Sequence, residues 1–365
     1  MPPNFGKVHQ HAPPQLPETQ FFGEKPLEFP AALIKDVLPQ TGVAAIIGQS
    51  GTGKTFQALH LTTCLIPDCG RDFFIDRYRI KRKGGVLYFV LEGRRAFPMR
   101  AAAAFNAALG KQMELGDRFR QPFGWNFYQP NLYANGPDAL IKLVERDAAR
   151  MKQEYSVDLV AVFIDTLGLS ALFDNENDAA QVQFVLSGFN RLSEVTGALV
   201  IPVDHMGKDP DLGARGSSAK RDLPETVLAC LGDRTENGML TNLRMAFHKI
   251  RDGEAGRIIP YRLNQVHMGI DPDGDPVTTC VVEWEPNRPP PPKAQRAKPK
   301  TQDALHKAIS DVGGLPADPV KLRKAFYAHH QGKRHTANAA WNRALREAKL
   351  VPTGDGRLDY PPGSP

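Results

Sequence analysis

The stretch GQSGTGKT, Gly48 to Thr55, lies between the apolar run VAAII and the periodic run FQALHLTTCLI. No other feature limits the fold as strongly. Glycines at 48, 51 and 53 let the backbone close into a tight loop whose successive N–H groups point at a common centre. An apolar strand before such a loop and a helix after it make a βα unit, which calls for a parallel sheet covered by helices. The loop also has the chemistry of a phosphate site. Gly48, Gln49, Ser50, Gly51, Thr52 and Gly53 supply the cradle, Lys54 neutralises the β and γ phosphates, and Thr55 offers a hydroxyl to Mg²⁺ at the helix N-terminus. A nucleoside triphosphate with Mg²⁺ is the expected ligand, and nothing in the loop selects the base.

The chain repeats this βα pattern. VAAIIG (43–48), GVLYFVLEG (85–93), WNFYQ (125–129), LVAVFID (159–165) and ALVIPVDH (198–205) read as strands. Between them, helical periodicity runs through about Ile66, through AFPMRAAAAFNAALG, through PDALIKLVERDAARMKQEY and through DAAQVQFVLSGFNRLSEVTG. Most of these strands are apolar on both faces, which predicts a mostly parallel sheet buried on both sides. Beyond residue 225 the runs TVLACL, MLTNLRMAFHKI, GRIIPYRLNQV and TTCVVEW read as antiparallel additions at one sheet edge.

The 365 residues suggest about two domains. Residues 1–25, rich in Pro and Gln and without periodicity, read as a flexible arm, and 26–285 as the α/β domain. EPNRPPPPKAQRAKPK makes 286–300 an extended basic linker. In 301–361, three helical stretches (TQDALHKAISDV, DPVKLRKAFYAHH, HTANAAWNRALREAKL) precede LVPTGDGRLDY, a strand, tight turn and strand. That is the outline of a winged-helix-like domain. The net charge of +6 belongs to this end: residues 293–365 hold 14 Lys/Arg against 6 Asp/Glu, leaving 32 against 34 elsewhere. A concentrated positive balance suits a polyanion, and Arg343 and Arg346, off or at the margin of the Ala/Trp341 stripe, are the DNA-binding candidates there. A solvated surface is the plainer alternative. No run of 18 apolar residues and no secretion signal is present, so the expectation is a cytoplasmic protein without a membrane partner. Cys64, Cys69, Cys230 and Cys280 lack zinc-ligand spacing; Cys64 and Cys69 could pair, but buried free thiols are the plainer reading.

Further candidates lie where strands end. Asp165 closes LVAVFID and suits a Mg²⁺-associated acid, but Thr166 follows it where many ATPases place a water-activating glutamate. Glu92 is the candidate base, on a strand expected beside the phosphate-loop strand. His205, after Asp204, ends ALVIPVDH at the edge where ligands collect in parallel sheets, and suits a γ-phosphate sensor. The loop 206–222 that follows is glycine-rich and basic through Lys208, Arg215, Lys220 and Arg221. Lys249 and Arg251, two apart in FHKIRDGEAG, project the same way from a strand and suit a neighbour's phosphates; a solvated strand end is the alternative.

GQSGTGKT, VLYFVLEG, VFIDT, VIPVDHMGKD, GARGSSA and HKIRDG, in this order, resemble the RecA-type ATPase core of RepA-like plasmid and phage replicative helicases, and more distantly the DnaB motor. The resemblance spans about 25–285. It implies ATP as the nucleotide and a homo-oligomeric, hexameric ring with ATP between subunits. Lys54 and Thr55 then match the phosphate loop, Asp165 the metal-associated acid, Glu92 the base and His205 the sensor. Lys249 and Arg251 match the fingers that act on the next subunit's nucleotide. Loops 167–178 and 206–222 match the segments that grip single-stranded DNA. Because 167–178 is acidic here, Lys208, Arg215, Lys220 and Arg221 would do that gripping. The implied function is an ATP-hydrolysing helicase of plasmid or phage DNA replication, with a primase or initiator as a further partner. The alternative of a different class is an ATP-switched DNA-binding initiator or regulator that does not translocate. A small-molecule kinase would leave the basic domain and the Lys249/Arg251 pair without a purpose.

Overall fold

Apolar runs become strands here because they are covered on both faces. The computed structural model describes residues 21–24, 29–111, 120–206, 219–235, 237–288, 300–330 and 334–361. It divides into two compact units, Met1–Pro290 and Pro291–Pro365. The first opens with a short ribbon, β1 (Ala32–Ile34) and β2 (Leu38–Pro39), followed by β3 (Ala44–Gly48) and α1 (Lys54–Leu65). A second ribbon, β4 (Phe73–Phe74) and β5 (Tyr78–Arg79), leads to β6 (Gly85–Val90) and α2 (Phe97–Leu109). Then come β7 (Phe123–Asn126), α3 (Leu132–Asn135), α4 (Asp138–Tyr155), β8 (Leu159–Asp165), α5 (Leu167–Ala171), α6 (Ala179–Thr196) and β9 (Leu199–His205). After α7 (Ala219–Asp222), the unit finishes with β10 (Thr226–Arg234), β11 (Leu240–Ile250), β12 (Ile258–Ile270) and β13 (Pro276–Trp284).

Nine strands form one sheet in the order β13-β12-β11-β10-β3-β9-β8-β6-β7. From β10 to β7 all pairings are parallel, while β11, β12 and β13 are antiparallel. β3, β6 and β8 are buried along their whole length. One face packs Ile46, Tyr88 and Phe163 with Leu61 of α1 and Phe97 of α2. The other packs Phe89, Val162 and Val200 with Val144 of α4 and Phe189 of α6. Helix ends follow local chemistry: Asp178 caps α6 by accepting from the Ala180 N–H, and the left-handed Gly197 and Gly110 end α6 and α2.

Two expectations need correction. β10 is not an antiparallel addition: it runs parallel to β3, because the chain leaves the end of β9 and crosses back before entering on β3's other side. The strand leading to Glu92 does not lie beside the phosphate-loop strand either, since β9 and β8 stand between β3 and β6. The expected strand at 125–129 is β7, which begins and ends earlier, and the acidic loop 167–178 begins as the short helix α5.

The second unit holds α8 (Lys300–Asp311), α9 (Pro319–His329), α10 (Arg334–Glu347) and the hairpin β14 (Val351–Pro352) and β15 (Leu358–Asp359). Asp318 accepts from the Val320 and Lys321 N–H groups and Pro319 opens the helix, a strong start signal for α9. Leu305, Leu322, Phe326, Trp341, Ala344 and Leu358 form a core of its own. Trp341 packs edge-on against Phe326 at 5.4 Å, which makes it a core residue. The expected arm at 1–25 lies outside the described residues apart from 21–24, as do residues 289–299 of the expected linker.

Candidate functional site

The turn between β3 and α1 is tight for a visible reason. A Cβ on Gly48 would stand 2.5 Å from the Cys230 carbonyl of β10, so no larger residue fits. Gly53 has φ +81 and faces Leu263 of β12, where a Cβ would come within 2.8 Å of a methyl carbon. β10 and β12 hold the loop from outside. The Tyr261 hydroxyl donates to the Thr52 carbonyl at 2.6 Å, Arg234 donates to the Ser50 carbonyl at 3.1 Å, and the Gly232 N–H donates to Gln49 Oε1 at 3.1 Å.

Lys54 is 7% exposed, and its Nζ donates to the carbonyls of Gly48 and Gln49, both at 3.1 Å. Burial lowers its pKa below the ordinary lysine value, although Asp165, Glu92 and Asp204 pull the other way. A cation desolvated among loop carbonyls is suited to an arriving polyphosphate. Thr55 Oγ1 donates to Asp165 Oδ2 at 2.7 Å, and the Tyr88 hydroxyl donates to the same oxygen at 2.8 Å. Burial pushes the Asp165 carboxyl up, and the two hydroxyls offset part of that. Threonine hydroxyl and aspartate oxygen side by side are the hard-oxygen donors Mg²⁺ takes. The residues present thus fit a magnesium nucleotide, with Lys54 and the loop on the phosphates and Thr55 and Asp165 toward the metal.

Glu92 and His205 meet across one intervening strand, β8. The register places His205 directly opposite Gly48. Its Nδ1 is 3.3 Å from Lys54 Nζ and its Nε2 is 3.4 Å from Glu92 Oε2. Lysine has only hydrogens to offer, so Nδ1 is the acceptor and Nε2–H points at the carboxylate. His205 therefore bridges phosphate-loop cation and candidate base, so Glu92 shares the site although its strand is not adjacent to β3. The Glu92 side chain is 56% exposed, open to water from one side.

The other candidates are placed differently. Lys249 and Arg251 stand at the far end of the sheet: Lys249 pairs with Val227, level with Ala45, while the phosphate loop leaves β3 at Gly48. Arg251 Nε is 3.0 Å from Glu225, and Lys249 Nζ donates to the Asp222 carbonyl. Lys220 is no free cation for DNA. It is 2% exposed, 2.8 Å from Asp204 Oδ2 and 3.7 Å from Glu176, with Phe173 beneath its Nζ. The pairing with Asp204 takes it out of solvent, which corrects the expectation from the basic loop. Arg221 beside it is partly exposed and bonds Asp222 at 3.2 Å. Lys208 and Arg215 lie outside the described residues. Arg343 and Arg346 are exposed on α10.

Sequence reasoning missed Tyr88, Tyr261 and Arg234. Tyr88 reads as one more apolar strand position, and the other two reach the loop from strands far along the chain. Cys64, Cys69 and Cys230 are free and buried, and burial pushes their thiols up to about 12, 11 and 12, so they are inert. Among the described residues no helix is long and apolar enough to cross a membrane, and no group of three metal-ligating side chains occurs.

A family model described as an AAA domain matches residues 10–211, more than half of the chain. Among solved structures, a KaiC-like protein from the hyperthermophilic archaeon Pyrococcus horikoshii OT3 is similar over 69% of this chain and 93% of its own. The identity is 16% and the TM-score 0.41. No curated protein matches the chain.

Proposed function

The chain belongs to the AAA domain family, and from that premise we propose that it is an ATPase working as a ring on single-stranded DNA, a RecA-type motor of the kind that RepA-like replicative helicases use. The observation that carries this reading is the separation of Lys249 and Arg251 from the chain's own phosphate loop. Lys249 is level with Ala45, three residues of β3 or about 10 Å of strand rise from Gly48, and Arg251 lies two residues further away. Two cations at the far edge of the sheet cannot serve their own subunit's phosphates. They can serve those of a neighbour, which turns each site into a shared one.

In that arrangement each residue has a defined task. When bound, magnesium ATP supplies the phosphoanhydride that water cleaves. Lys54 and the loop N–H groups hold its phosphates, and Glu92 takes the proton of the attacking water. The Nε2–H of His205 steadies the Glu92 carboxylate, while Nδ1 senses the position of Lys54. Arg251 and Lys249 from the next subunit face the charge that develops as the bond breaks. A hexamer is the expected ring, and a primase or initiator a further partner.

The test is ATP hydrolysis against protein concentration, with and without single-stranded DNA, for the native chain and Arg251→Ala. The expected result is a rate per subunit that rises with concentration and with DNA, and falls about 10³-fold in the variant. A rate indifferent to all three would overturn the motor. Sequence-specific duplex binding without ATPase stimulation would then favour the ATP-switched initiator, with the three helices and hairpin of the second unit as a winged-helix reader.

A further inference from the structure

At its parallel edge the sheet ends in β7, and the chain leaves it as a run of aromatic rings facing solvent. Trp125, Phe127 and Tyr128 are 45%, 42% and 37% exposed. Solvated loops rarely spend large rings in this way, and three within four residues make a patch. The rings are held in place. Trp125 rests on Phe123 at 5.8 Å and Phe97 at 6.1 Å, so one side is packed while the rest is open. Asn126 Oδ1 accepts from the Tyr128 N–H at 2.8 Å, and the Gln129 side chain donates to the Leu169 carbonyl at 2.8 Å. Among the described residues neither the Trp125 indole N–H nor the Tyr128 hydroxyl has a hydrogen-bond partner.

Cations accompany the rings. The Arg94 guanidinium lies over Phe127, 5.9 Å from the ring centre. Arg94 and Arg95 are both exposed and form no ion pair among the described residues. Aromatic rings and arginines are also enriched at protein–protein interfaces, so a subunit contact is the competing occupant that the experiment separates. Rigid aromatic faces beside unneutralised arginines match a ligand whose units each carry a flat π-face and a negative charge. Single-stranded nucleic acid has that chemistry. The patch lies at the C-terminal ends of β6 and β7, on the sheet edge that also carries Asp165 and Glu92. Arg94 is two residues beyond Glu92 in one turn, and that turn is anchored where the Leu91 N–H donates to the Asp165 carbonyl at 2.7 Å.

We propose that Trp125, Phe127 and Tyr128, with Arg94 and Arg95, form a stacking platform for single-stranded DNA, and that the turn Arg94 and Arg95 share with Glu92 ties its occupancy to hydrolysis. The platform is separate from loops 167–178 and 206–222, and it rests on the reading that the chain works on single strands. Bases stack on the rings while phosphates lie along the arginines. Sequence preference is then weak, and affinity falls with salt.

The experiment uses the full chain and fluorescein-labelled (dT)20, followed by anisotropy and by tryptophan quenching. Trp125→Ala with Phe127→Ala is expected to weaken (dT)20 binding about 5- to 150-fold, the range for losing one stacked base. Trp125→Phe keeps a ring and is expected to retain most of the affinity, and ATP hydrolysis without DNA stays unchanged in each variant. Arg94→Glu with Arg95→Glu leaves the core untouched and is expected to weaken binding and abolish stimulation by (dT)20, so the result does not hinge on the folding of the alanine variant. If the native chain binds (dT)20 and these variants bind equally, the platform is overturned and the motor stands. If the native chain does not bind (dT)20 at all, both fall. Affinity lost only together with self-association would make the patch a subunit contact and overturn the platform.

Discussion

His60 shows how one buried side chain couples the phosphate-loop helix to solution pH. It lies on α1, and its Nε2 accepts from the Trp284 indole N–H of β13 at 2.9 Å. Burial, helped by Arg71, lowers its pKa from 6.5 to about 3, so it stays neutral in the folded protein. The unfolded chain takes up a proton below pH 6.5 and the folded one does not. Above pH 6.5 the two states hold the same number of protons at this site and it contributes no pH dependence. As pH falls from 6.5 toward 3, stability is lost at about 1.4 kcal/mol per pH unit. His60→Gln keeps an acceptor for Trp284 but has nothing to titrate. Urea unfolding at pH 7, 6 and 5 is expected to give a flatter profile for the variant than for the native protein. Parallel profiles would assign the pH dependence to other groups.

At the scale of elements, Lys220 joins three segments that sequence separates. It sits on α7, bonds Asp204 next to His205 at the end of β9, and reaches Glu176 in the loop after α5. A buried charge without its partner is costly, so Lys220→Met is expected to destabilise the first unit by about 3–5 kcal/mol, and adding Asp204→Asn should recover part of that. Denaturant midpoints of the single and double variants check this; a loss below about 1 kcal/mol would mean the pair is not buried in solution. The same residue marks where sequence reasoning stopped. A lysine in a glycine-rich basic loop reads as exposed, and only the fold brings Asp204 and Glu176 to it. Local patterns were legible: the loop 48–55 and the buried strands 43–48 and 159–165. Long-range order was not. The direction of β10, the strands between Gly48 and Glu92, and Tyr261 on the Thr52 carbonyl all depend on contacts across scores of residues. Tyr88 differs from a core phenylalanine by one hydroxyl, which becomes informative only beside Asp165.

On the scale of the whole molecule, charge divides the protein more sharply than chemistry does. The nucleotide machinery belongs to a unit whose sequence is close to neutral, while the excess positive charge lies in the last 73 residues. The described residues of that segment fold around a core of their own, with Trp341 and Ala344 turned inward, so Arg343 and Arg346 are left on the exposed face of α10. Neither arginine forms an ion pair among the described residues; Arg346 donates only to the Asn342 carbonyl of its own helix, at 3.3 Å. If this face lies on a DNA backbone, each arginine releases counterions, and affinity must change with salt in proportion to the number of contacts. Arg343→Ala with Arg346→Ala in the full chain is expected to reduce the slope of log affinity against log salt by about 1.8 on duplex DNA, or about 1.4 on single strands. ATP hydrolysis without DNA should be unchanged, because the groups gathered around the phosphate loop all belong to the first unit. Titrations at several salt concentrations decide the matter. An unchanged slope on both substrates would show that the basic unit meets a partner other than DNA, while a change on duplex alone would assign duplex recognition to the second unit and leave the single strand to the first.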